Sequence, residues 1–356
     1  MSDPAADVSR RSCLYSMTAF AALTIPGAMG TARAAEVPVD DGTSRAKKMA
    51  QFTMRAAGLK GPEGPVVMAD GSVLVCEMYE GRVTRVKPDG TLAPYPAMGG
   101  SANGAAIGPD GACYVANNGG MGGGAGAPEP RAAAPLSFKG PSIQRLDLAT
   151  GESKALYWEA DGQPLPNPND LVFDASGGFY FTAFGRLTPE ALGYGAVYWA
   201  RPDGSEIRKV VSHLMTPNGI AISPDQRTLY VALTEKRQVM AYEIAAPGRL
   251  AAGKNPMQPG RVLASIGGDL AFDSMKIEAN GNLLVGTLTA GCISVISPSG
   301  ALLEQLYLPD TGVTNMAFGG RDLRTLYVTL TQTGRLVSLQ WPRPGAKLQF
   351  QELEKR

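Results

Sequence analysis

A chain of 356 residues with 44 Gly and 27 Pro is rich in turn formers for a helical protein, and no basic block interrupts its formal charge of +1. Such a balance excludes nucleic acid and anionic membrane surfaces as partners. Length alone admits two average domains or one large propeller or barrel.

The N-terminus reads as an export signal. Ser9-Arg10-Arg11-Ser12-Cys13-Leu14 opens it, a mildly apolar stretch from Leu14 to Met29 follows, and Ala32-Arg33-Ala34 supplies a small-residue cleavage pattern. The paired arginines match a twin-arginine signal, and the apolar run is too short for a stable membrane span. The expectation is a signal over residues 1–35, cut near Ala34/Ala35 after passage through the twin-arginine export machinery. It leaves a periplasmic domain over 36–356; a disordered cytoplasmic leader is the other reading. Beyond Cys13, Cys76, Cys113 and Cys292 lie in apolar strand-like runs, where a thiol acts as a small hydrophobe, so no disulfide framework is expected.

One unit then recurs: a polar residue, an apolar run, a turn and a second apolar strand. Its starts are Glu63-Gly64-Pro65, Asn103-Gly104-Ala105, Asn169-Asp170-Leu171, Asn218-Gly219-Ile220, Asp273-Ser274-Met275 and Asn315-Met316-Ala317. Gaps between starts vary from 40 to 66 residues, yet the second strand is centred 11 or 12 residues after each start, on Leu74, Tyr114, Tyr180, Tyr230, Leu284 and Tyr327. A constant interior with variable gaps is what repeated sheets with variable loops give. Pro109-Asp110-Gly111, Ser176-Gly177-Gly178, Pro224-Asp225-Gln226 and Asn280-Gly281 supply turns between first and second strands. Third strands follow at Arg82 to Val86, Ser142 to Leu146, Ala196 to Trp199, Gln238 to Tyr242, Ile293 to Ile296 and Leu336 to Leu339. No long amphipathic helix is visible.

Six such sheets arranged radially define an all-β fold, a six-bladed β-propeller with a central metal-binding channel. A sandwich or jelly roll does not predict six equivalent starts. Either Gln51 to Ala56 or Lys347 to Phe350 is available as the outer strand that closes the ring. The Gly-, Ala- and Pro-rich insertion from Gly119 to Pro141 reads as a solvated loop or as a lid over one channel mouth.

First strands line the axis of a propeller, so Glu63, Asn103, Asn169, Asn218, Asp273 and Asn315 converge at one end. Asn-Gly is also a common hairpin dipeptide, but each pair opens an apolar strand in phase with Glu63 and Asp273. Two carboxylates facing each other in a narrow channel repel unless one holds a proton or a cation binds. All-oxygen ligation without Cys or His suits a hard cation, calcium first, with magnesium, manganese or zinc as substitutes. His213 is the only histidine and is placed in a loop, which makes Ser-His-Asp or Cys-His catalysis a poor fit.

Pro62-Glu63-Gly64-Pro65, Pro168-Asn169-Asp170, Thr216-Pro217-Asn218-Gly219-Ile220-Ala221-Ile222-Ser223-Pro224-Asp225 and Asp273-Ser274-Met275 together resemble the senescence marker protein, gluconolactonase and luciferin-regenerating enzyme family. The resemblance runs from Gly61 to about Trp341. It implies six-bladed propellers with an axial metal, known mainly for lactone hydrolysis, with related propellers that cleave organophosphates. Carried over by motif, Glu63, Asn169, Asn218 and Asp273 are the implied metal ligands, and Asp273 doubles as general base or steers the attacking water. Asp170 is the implied supporting carboxylate, while Asn103 and Asn315 line the pocket. Two departures matter. Asn167 stands where sugar lactonases of the family often carry an Arg that binds substrate. Asn315 stands where the organophosphate-cleaving relatives place a His. The expected activity is therefore metal-assisted opening of a small-molecule lactone. The rivals are a non-catalytic binding propeller with a structural metal and a metal-free propeller resembling strictosidine synthase.

Overall fold

The structure is a computed structural model that describes residues 47–120, 138–186, 188, 191–253 and 260–353. The signal expected over 1–35 and the centre of the insertion, 121–137, lie outside the described residues. Among the described residues all regular structure is β-strand, and no helix is long and apolar enough to cross a membrane.

Six antiparallel sheets form the blades. Their innermost strands are Pro62–Val67, Ala102–Ile107, Pro168–Phe173, Pro217–Ile222, Ala271–Ile277 and Val313–Gly319. Each touches the innermost strand of the blade before and after it, and the last touches the first, so the ring closes around an axis. The six-bladed propeller read from the repeats is the observed fold. The third strands also fall where the alternation placed them, to within four residues at each end.

Closure uses the N-terminal side. Thr53–Ala57 pairs antiparallel with Arg335–Gln340 as the outer strand of blade 6, and Lys48–Met49 runs parallel to the outer strand of blade 5. The rival closing segment, 347–350, forms no strand. It lies against the end of the channel remote from the repeat starts, where Phe350 stacks edge-on to Phe173 at 5.7 Å.

Apolar packing falls into six clusters, one at each interface between successive blades. The recurrent second-strand Tyr serves those interfaces. Tyr114 of blade 2 donates to Pro202 O of blade 3, and the Tyr180 hydroxyl of blade 3 accepts from Gly248 N of blade 4. A tyrosine suits a position that needs an apolar body in one interface and a polar tip at the next blade. Cys76, Cys113 and Cys292 are free and buried in these strands, as read from the sequence. Burial pushes the Cys113 thiol up to about 12.

Candidate metal centre

A β-bulge interrupts every innermost strand at the same depth. Between Glu63 and Val66 the strand advances three residues while its partner advances two, from Cys76 to Leu74. The same step occurs at Ala102/Ala105, Pro168/Leu171, Pro217/Ile220, Phe272/Met275 and Val313/Met316. A bulge inserts an unpaired residue and re-aims the neighbouring side chains, which is why bulges recur beside functional sites. The Asn-Gly pairs are therefore not hairpin turns: both lie within strands. Their glycines admit the adjacent blade. A Cβ on Gly104 would stand 2.6 Å from Asn169 O, and one on Gly219 would stand 2.6 Å from Asp273 O.

Register orders the axial residues in tiers. The residues opposite the second-strand centres are Val66, Ala106, Val172, Ala221, Lys276 and Ala317. Three positions earlier stand Glu63, Asn103, Asn169, Asn218 and Asp273, as expected, but in blade 6 that position is Thr314. Asn315 belongs one tier further along, level with Gly64, Gly104, Asp170, Gly219 and Ser274. Blade 6 carries two extra residues in its first hairpin relative to blades 1, 2, 3 and 5 and one relative to blade 4, so counting back 12 residues from Tyr327 lands one place late.

Glu63, Asn103, Asn169, Asn218 and Asp273 are all buried. The Oδ1 atoms of Asn103, Asn169 and Asn218 are fully enclosed and meet no donor among the described residues. Buried polar atoms are nearly always paired, so three orphaned oxygens in one ring call for an explanation. The amide orientation is held at one of them, since Asn218 Nδ2 donates to Thr234 Oγ1 at 3.3 Å. Glu63 Oε2 accepts from Gly64 N at 2.7 Å and from Asn315 Nδ2 at 2.9 Å. Burial raises the affinity of Glu63 for a proton, and burial together with the charge of Glu63 raises that of Asp273. Desolvated carboxylates beside orphaned amide oxygens form a donor set that fits a hard divalent cation.

The remaining expected residues separate. Asp170 sits in the second tier, where burial raises its pKa and the nearby Lys276 opposes that shift. Asn167 takes φ 60° just before Pro168, and its Nδ2 donates to Asn118 O at 3.1 Å, so its amide links blades 2 and 3. His213 is on the strand Ile207–Leu214 and not in a loop; it is exposed and stacks edge-on to Tyr194 at 5.8 Å. Sequence reasoning missed Lys276, although a lone charge within Met275-Lys276-Ile277 was its signal. It also missed the bulges, which polar-Gly pairs inside apolar strands announce.

The fold and this oxygen-lined axis define a class: six-bladed propellers with a polar ring at one mouth of the channel. The model of the SMP-30/Gluconolactonase/LRE-like region matches residues 61–332, and the chain belongs to that family. A gluconolactonase of Zymomonas mobilis is 26% identical over 90% of this chain and 95% of its own. A lactonase drp35 of Staphylococcus aureus is 27% identical over 67% of each chain. The crystal structure of a calcium-binding protein, regucalcin, from Agrobacterium tumefaciens superposes with a TM-score of 0.67 at 19% identity, covering 88% of this chain and all of that one.

Proposed function

We propose that the chain is a metal-dependent lactonase, a carboxylic ester hydrolase that opens a cyclic ester. The observation that carries this reading is the group of three orphaned amide oxygens beside the buried carboxylates Glu63 and Asp273. The gluconolactonase and lactonase relatives give the reading its reaction class. Glu63, Asn169, Asn218 and Asp273 would hold the cation, with calcium the first choice because every donor is oxygen; Asn103 adds a fifth oxygen at the same level. A bound dication would supply charge stabilisation to a carbonyl oxygen that becomes negative.

The protein's own groups then have distinct tasks. Asp273 accepts the proton from the water that adds to the lactone carbonyl, and returns it to the ring oxygen as the acyl C–O bond breaks, leaving a hydroxy acid. Glu63 keeps its orientation through Gly64 N and Asn315 Nδ2. Asn167, engaged with Asn118 O, leaves a sugar hydroxyl without the arginine that sugar lactonases often offer at that position. A smaller or less polar lactone is the substrate this favours.

The test is elemental analysis of the purified protein, followed by a panel of aliphatic, aromatic and sugar lactones with calcium and with a chelator. Turnover that needs a bound divalent ion supports the reading. Bound metal without turnover would favour a binding propeller, and no metal at all would remove the mechanism. We also propose a periplasmic location, on the strength of Arg10-Arg11 and the Ala32-Arg33-Ala34 pattern. Fractionation of cells and N-terminal sequencing of the mature protein test it, with a start near Ala35 expected.

A further inference from the structure

The tier below the bulges is apolar in five blades and charged in one. Val66, Ala106, Val172, Ala221 and Ala317 share it with Lys276, whose side chain is only 15% exposed. Burying an ammonium costs free energy unless it is paired and hydrogen-bonded. Here Nζ donates to Asn315 Oδ1 at 3.1 Å and lies 3.6 Å from Asp170 Oδ2. Asn315 Oδ1 also accepts from Met316 N at 2.8 Å, and its Nδ2 donates to Glu63 Oε2 at 2.9 Å. Lys276 is therefore two hydrogen bonds from Glu63, which also feels its charge.

The ionisable groups of these three tiers are Glu63, Asp170, Asp273 and Lys276; every other axial residue is neutral. Fully ionised, they sum to two negative charges. We infer that Lys276 is the charge-setting residue of this site: it offsets Asp170, so the ring offers a guest two net negative charges and favours a trivalent over a divalent cation less than the same ring without the ammonium would. The inference rests on the metal reading above and adds a specificity determinant to it. A fixed positive charge opposes a guest in proportion to the guest's charge, and a trivalent ion therefore loses half as much again as a divalent one.

The experiment measures dissociation constants for Ca²⁺ and La³⁺ by competition calorimetry at fixed ionic strength. The proteins are the wild type, Lys276→Met, Asp170→Asn and the double variant. Lys276→Met should bind both ions more tightly and raise the La³⁺/Ca²⁺ preference on the order of tenfold. Asp170→Asn leaves the ammonium unopposed and should lower that preference by a similar factor. The double variant restores two negative charges and should return close to the wild-type ratio. If Lys276→Met does not fold, Asp170→Asn and the double variant still decide the matter, since their shifts have predicted signs. A wild type that binds Ca²⁺ while the ratio stays constant across the variants overturns the role of Lys276 alone. A wild type that binds neither ion overturns the metal reading itself.

Discussion

At the scale of single residues, Asp273 and Glu63 govern what can be measured. Replacing Asp273 with Asn keeps the side-chain size but removes the proton acceptor. Lactone turnover should fall by about 10²-fold or more, while circular dichroism and melting show an intact fold. The proton affinities make a second prediction. Folding raises the pKa of Glu63 from its ordinary 4.5 to about 7 and raises that of Asp273 as well. The metal-free folded state thus binds these protons more tightly than the unfolded chain does. Its stability should fall as pH rises from about 4.5 through about 7, and saturating calcium should offset the loss. Calcium affinity should rise over the same interval, because the ion displaces the protons. Melting curves with and without calcium across that range check both statements. Five of the six ring positions were legible as repeat starts, because a polar residue opening an apolar strand is visible in one dimension. Thr314 was not, because only the pairing of Ala317 with Tyr327 fixes the phase of blade 6.

At the scale of elements, the bulged inner strand is the working unit. Its glycines exist for the neighbouring strand. Gly219→Ala would bring a Cβ to 2.6 Å from both Asp273 O and Met275 N, and neither backbone atom can move without shifting the ring. The expected cost is about 1–3 kcal/mol, together with weaker calcium binding, read by chemical denaturation and calorimetry. Gly111→Ala tests the contrast: its Cβ meets nothing within 4 Å, although its φ of 74° strains any other residue. That change should lower stability and leave calcium affinity unaltered. The strands themselves were readable from alternation and turn chemistry. The bulges were signalled only by the polar-Gly pairs of blades 1, 2 and 4, since an extra residue is defined against the strand it fails to pair with.

At the scale of the whole molecule, closure holds the ring together. Removing residues 47–57 strips the outer strand from Arg335–Gln340 and takes Ala56 from the cluster between blades 6 and 1. An unpaired strand edge invites association with other chains. The shortened protein should melt at a lower temperature and aggregate, as differential scanning calorimetry and light scattering would record. Removing 347–353 should do less. That segment bounds a cavity of about 730 Å³ at the other end of the channel, beyond Lys276, and pairs with no blade. Calcium affinity should be unchanged in this second truncation.

The sequence by itself determined the number of blades, the order of their strands and the identity of most axial side chains. Those features depend on local hydrophobic period and turn chemistry, which repeat along the chain. Tertiary structure alone decided which terminus closes the ring, that Asn315 lies one tier below Asn218, that Asn167 joins two blades, and that Lys276 stands opposite Asp170. Each is a relation between blades 40 or more residues apart. Side chains so distant acquire a common depth on the axis only when the sheets pack, and no periodicity within one blade encodes that depth.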